Sequence, residues 1–137
     1  MNEQKTILVL GGNEHNMESI LNSVKSHIGI DDKETNFDSD IMIHINSVFS
    51  ILHQMGVGPE KTFSIVDDKA IWSDFTEDDD DFSEVKTYMY LKVKLIFDPP
   101  TNSNVLEAME RQKNELEWRL AATASNKAME DSNKDEQ

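Results

Sequence analysis

Between Asp40 and Met55 the apolar residues Ile41, Ile45, Val48, Leu52 and Met55 recur every three or four positions, a spacing that an α-helix gathers onto one side. Met42, Phe49 and Ile51 widen that side into a broad stripe, so this helix is expected to lie deep in a core. Its flanks set its limits. Phe37-Asp38-Ser39-Asp40 offers a capping side chain and acids for the N-terminus, and Gly56, Gly58 and Pro59 stop the far end. A chain organised around such an element is expected to be mainly α.

The same periodicity predicts a helix from Met17 to about Ile28, capped by Asn16, with Ile20, Leu21, Val24 and Ile28 on one side and Gly29 after it. A further helix is predicted from about Ser103 to Ala122, with Val105, Leu106, Met109, Leu116 and Leu120 on its stripe and Glu107, Arg111, Lys113 and Glu117 outside it. The run Val85 to Phe97 is ambiguous. Leu91-Lys92-Val93-Lys94-Leu95 alternates like a strand, whereas Val85, Tyr88, Met89, Lys92 and Ile96 fit a helical stripe, and length favours helix. Asp98-Pro99-Pro100 ends this element in either case. From Phe63 to Phe75, the alternation of Phe63 and Ile65, a turn at Asp67-Asp68 and a second run through Ala70, Trp72 and Asp74 predict a small hairpin. The expectation is a small domain of about four helices with a short β-hairpin insertion, spanning 17–120. An extended N-terminal arm, 1–16, precedes it and a flexible polar tail, 121–137, follows, with no apolar pattern after Ala122 to order it. The arm holds one β-like tetrapeptide, Ile7-Leu8-Val9-Leu10, before the turn signal Gly11-Gly12-Asn13.

The 137 residues fit one domain, and with 37% hydrophobic residues a lone copy is expected to be marginally stable. Thirteen basic against 27 acidic residues leave a formal charge of -14, which excludes a surface that grips phosphates but suits a channel through which DNA slides. The chain has no cysteine, so disulfides, thiolate metal sites and cysteine nucleophiles are all ruled out. The apolar run at Ile7–Leu10 is too short for a signal-peptide core or a membrane span, so a non-exported protein that does not enter membranes is expected.

Residues that might carry chemistry form no convergent set. His44 and His53 share a predicted helix but sit nine residues apart, on opposite sides, while His15 and His27 are scattered, so no metal site is expected. The acidic run Glu77, Asp78, Asp79, Asp80 and Asp81 lacks the alternating ligands and mid-run glycine of a calcium loop and reads as a solvated loop. Gly11-Gly12 is followed by no phosphate-loop lysine, and the serines lack a nucleophile-elbow pattern, so neither a catalytic residue nor a cofactor is expected. Trp118 falls off the stripe of the last predicted helix, which fits a partner-facing anchor as well as packing on its own domain.

Several pieces together carry a family resemblance: Phe37-Asp38-Ser39-Asp40-Ile41, Ile45-Asn46-Ser47-Val48-Phe49, Gln54-Met55-Gly56-Val57-Gly58-Pro59, Trp72-Ser73-Asp74-Phe75, Val85-Lys86-Thr87-Tyr88 with Leu91-Lys92-Val93, Phe97-Asp98-Pro99-Pro100, and Glu115-Leu116-Glu117-Trp118-Arg119-Leu120. In this order and spacing, over about Met17 to Leu120, the chain resembles the phage head-tail connector (adaptor, head-completion) proteins of tailed phages and prophages of Gram-positive bacteria. The resemblance implies a structural, non-enzymatic subunit of a virion neck, assembled in the host cytoplasm, in which about a dozen copies form a ring at the portal vertex. It implies helix for Val85 to Phe97. Its implied partners are further copies of the chain, the portal protein and the next neck, stopper or tail protein, with DNA passing through unread. On this footing Trp118, Arg119 and Leu120 are candidates for the portal interface, and Glu77 to Asp81 for the channel or its rim. Trp72, Phe75 and Phe97 are candidates for the subunit interface or the core. Another neck or tail-completion protein, or a small intracellular regulatory module, stays open as an alternative.

Overall fold

A computed structural model describes residues 17–76 and 79–135, with only the backbone of 79–81. Among these residues there are five helices: α1 Ile20–His27, α2 Asp38–Gln54, α3 Trp72–Phe75, α4 Asp79–Phe97 and α5 Ser103–Asp135. The arm expected over 1–16 lies outside the described residues.

Helix α4 is the hub, packing against α1, α2 and α5. Its inward residues are Phe82, Val85, Tyr88, Met89 and Val93, one i, i+3, i+4 stripe, and the strand alternative for this run is thereby excluded. The expected stripe was slightly out of phase, because Ile96 is exposed and Val93 is the residue that faces in. Helix α2 buries Ile41, Ile45, Val48, Phe49 and Leu52, as its spacing predicted. Helix α1 is shorter than expected: its cap is Ser19, whose hydroxyl accepts from the Asn22 N–H at 3.2 Å.

The predicted β-hairpin over 63–75 is not present. Residues around Ile65 are extended, but their partner is a side chain. The Asn46 amide donates to the Ile65 carbonyl at 3.0 Å and accepts from its N–H at 2.8 Å, doing the work of a neighbouring strand. The turn at Asp67-Asp68 is real, closed by the Lys69 N–H on the Asp67 carboxylate at 2.9 Å. The chain beyond it meets a different segment: Ser19 and Ile71 form an isolated antiparallel bridge, with Ile20 N–H on the Ala70 carbonyl at 2.9 Å. Trp72–Phe75 then coils into α3, whose first turn is fixed by the Asp74 carboxylate accepting from the Ile71 N–H at 2.9 Å.

The tail expected to be flexible over 121–137, and disordered from 123, is helical as far as Asp135. Ala121, Ala122, Ala124 and Ala128, with no glycine or proline among them, carry the helix on intrinsic propensity where an apolar stripe is lacking. The acidic run expected as a loop also differs, since Asp79, Asp80 and Asp81 form the first turn of α4, where the helix dipole favours negative charge.

Gly58 holds the turn after α2 against α3. Its φ is +99°, and an added Cβ would lie 2.6 Å from the Phe75 ring. Gly58→Ala should therefore cost about 2–3 kcal/mol through backbone strain and overpacking combined. Gly29→Ala, at φ +84° but with open space around it, should cost about 1 kcal/mol. Urea denaturation of both variants checks the difference; equal losses would show that the Phe75 contact does not restrict the turn.

Candidate functional site

Among the described residues the large apolar side chains left exposed are Met17, Phe37, Ile43, Val66, Ile96, Val105, Trp118 and Met129, and two places on the helix scaffold hold most of them that lie on α4 and α5. The first lies where the N-terminus of α2 meets the C-terminus of α4, from which the chain leads on to α5. Phe37 stands edge-on to Phe97 with centroids 5.6 Å apart, and His44 approaches Phe97 from another side at 6.5 Å. Ile96 and Val105 are exposed on the helices that carry this corner. Pro99 and Pro100 explain why the two helices turn here, since neither can continue the α4 hydrogen-bond ladder.

The second group lies on the outer side of α5. Leu116 and Leu120 are one turn apart and both buried, which fixes the rotation of the helix. Trp118 therefore projects outward and is 72% exposed. Around it the charges are ordered: Arg119 pairs with Glu115 at 2.8 Å and reaches Glu84 of α4 at 3.7 Å. Beneath, the Tyr88 hydroxyl donates to the Glu117 carboxylate at 2.9 Å. Burial first, and then the neighbouring Glu117 carboxylate, push the Tyr88 hydroxyl pKa well above its ordinary value, so it stays protonated and keeps α4 and α5 tied. Further along α5, Ala124 packs on the turn at Gly56, beyond which Met129 is exposed.

The sequence-derived candidates separate cleanly by burial. Trp118 and Arg119 are at the surface, whereas Leu120 is in the core and is not available to a partner. Trp72 and Phe75 are likewise core, ringed by Phe49, Phe63 and Phe82. Phe97 is partly buried and stays with the exposed corner. Of the acids, Asp79, Asp80 and Asp81 are placed at the start of α4, and Glu77 and Asp78 lie outside the described residues.

Sequence reading missed Lys25. It is 0% exposed, and its ammonium donates to the carbonyls of Asp32 at 3.1 Å and Glu34 at 2.6 Å while contacting the Asp38 carboxylate at 2.8 Å. Two hydrogen bonds to backbone carbonyls and one ion pair make it the clamp on the α1–α2 connection. A lysine beside an apolar stripe gives no sequence signal of this role.

Among the described residues no group of three histidine or carboxylate side chains is placed to hold a metal ion. No described helix is long and apolar enough to cross a membrane.

The family model described as "Phage connector protein" matches residues 20–127. No curated protein and no solved structure matches the chain. Because the matched stretch takes in all of α1 to α4 and most of α5, the chain belongs to the phage connector protein family, a family of structural virion components that connect head and tail.

Proposed function

We propose that this connector family member works as one subunit of a closed ring, of about a dozen copies, seated at the portal vertex, where it extends the DNA channel and offers a platform to the next neck component. The observation that carries the reading is the pair of apolar groups, at the Phe37–Phe97 corner and at Trp118, left uncovered by the single chain at different places on its surface. A cyclic assembly needs two unlike patches on each subunit, one to meet the other on the next copy or on a partner. Large exposed apolar residues off the core are otherwise a liability for a chain of this size.

In this reading the portal is met by Trp118 and Arg119 together with the distal turns of α5, and the acids from Glu77 to Asp81 face the channel or its rim. Ring symmetry would multiply their charge, and repulsion of phosphates would keep DNA from sticking. The mechanism is geometric: hold, align and pass on, with no bond made or broken.

Electron microscopy of the protein mixed with its portal is the direct test, and a coaxial ring on the portal is the expected image. A protein that stays monomeric with the portal present would overturn the reading. Trp118→Ala should weaken portal binding tenfold or more, about the loss of a hot-spot tryptophan, while leaving the fold intact because the side chain is already in solvent. Undiminished affinity would remove Trp118 from the interface. A neck protein seated elsewhere would bind its partner and ignore the portal, and the same pull-down separates that alternative.

A further inference from the structure

Opposite its buried side, α5 carries a second stripe. Leu116 and Leu120 face the core, and at about 100° per residue Trp118, Ala122, Ser125 and Met129 fall together on the far side. Trp118 is 72% and Met129 63% exposed, Ser125 is exposed and Ala122 is half-buried. Their positions alternate by four and three residues, as in a coiled-coil seam, with the bulky side chains at the two ends and the small ones between. The order is also a palindrome. Turned end for end about the midpoint of Thr123 and Ala124, the stripe sets Trp118 against Met129 and Ala122 against Ser125. The same turn brings opposite charges together: Arg119 comes within a turn of Glu130, on the same flank of the stripe, and Arg111 comes level with Asp135.

We propose that the free chain pairs with a second copy of itself through this stripe, the two α5 helices running antiparallel, so that each Trp118 is covered by Met129 of the other copy. A parallel pair would set Arg119 against Arg119 and Glu130 against Glu130, and like charges facing each other disfavour it. In the antiparallel pair Ala122 and Ser125 let the helix backbones approach, while Trp118 and Met129 close the two ends with an aromatic-to-sulfur contact. Because Leu116 and Leu120 lie opposite the stripe, the two acidic bodies stand on the outer sides of the helix pair, where salt screens their repulsion. A contact confined to one helix face of each copy lies at the small end of specific interfaces, which suits a pair that forms in the micromolar range and yields to a larger partner surface. On the portal reading, on which this consequence alone rests, the pair keeps Trp118 out of water until docking, since one face cannot serve both.

Sedimentation velocity of the full chain, without the portal, is the first test, and a monomer–dimer equilibrium with its midpoint at roughly 10–100 μM is expected. A monomer throughout that range would overturn the proposal. Ser125→Glu sets two carboxylates into the seam at a residue already in solvent, and should weaken association at least tenfold with an unchanged circular dichroism spectrum. An undiminished dimer would also overturn it. Orientation is read by mixing Glu115→Cys chains with Ser132→Cys chains, two exposed positions that the same midpoint pairs, in a protein with no cysteine of its own. A short bismaleimide should link the mixture and neither variant alone, because like positions lie about 25 Å apart along an antiparallel pair. Links within one variant, or none in the mixture, count against the pairing. Acrylamide quenching of the exposed Trp118, Trp72 being buried, should fall as the concentration passes through the dimer midpoint, and quenching that does not change would show Trp118 uncovered and refute the pairing. None of these readouts involves the portal, so their failure leaves the portal reading standing.

Discussion

Lys25→Ala is expected to destabilise the fold by about 3–5 kcal/mol, the loss typical of breaking a buried ion pair from one side. The ammonium is fully enclosed, and its removal strands the Asp38 carboxylate together with the carbonyls of Asp32 and Glu34. The aliphatic stem is lost as well, leaving a void beside α1. Lys25→Met keeps most of the stem and should lose less. Replacing both members, Lys25→Met with Asp38→Leu, should recover part of the loss, since no charge is then left buried and the two carbonyls, on an otherwise exposed connection, can turn to water. Urea denaturation of the three variants gives the comparison. A Lys25→Ala loss below about 1 kcal/mol would mean that water reaches the site and the clamp contributes little.

Trp72→Ala should be comparably damaging, at about 3–5 kcal/mol, the range for truncating a large buried aromatic. Trp72 is fully buried and lies within ring-contact distance of Phe49, Phe82 and Tyr90, so the void would touch α2 and α4 at once. Its indole N–H also satisfies Ser23, which ties α3 to α1. Trp72→Phe should lose less than the alanine variant, because it removes that bond and part of the volume while keeping an aromatic in place. Thermal and urea unfolding followed by far-ultraviolet circular dichroism measure both. Equal losses for the two variants would assign the whole effect to the Ser23 bond and none to volume.

The helical plan was legible wherever an apolar stripe met clear stop signals. Helix α2, between its acids and Gly56, is the plainest case, and its buried residues are those the spacing marked. What escaped was decided by contacts distant in sequence. Phe63 and Ile65 alternate because one side of an extended segment is packed, yet the backbone partner is Asn46, nineteen residues back, and no strand periodicity encodes that. Lys25 was invisible for a related reason: its two carbonyl acceptors come from a connection whose path is set by the fold, and its ion-pair partner Asp38 opens the next helix. Pattern misled at the C-terminus in the other direction, where a run without an apolar stripe reads as coil although the propensity of its alanines holds it helical. For the surface candidates, Trp118 could be singled out because it falls off its stripe, while Leu120, on the stripe, should have been assigned to the core from the same geometry.

The 33 residues of α5 would extend about 50 Å, yet only Leu116 and Leu120 are fully enclosed, and past Ala124 most of its side chains are exposed. Residues 128–135 are all exposed, and each adds about 1.5 Å of reach while burying little surface of its own. Lineages of such a protein are thus free to retune this end to whatever it touches while the body stays the same.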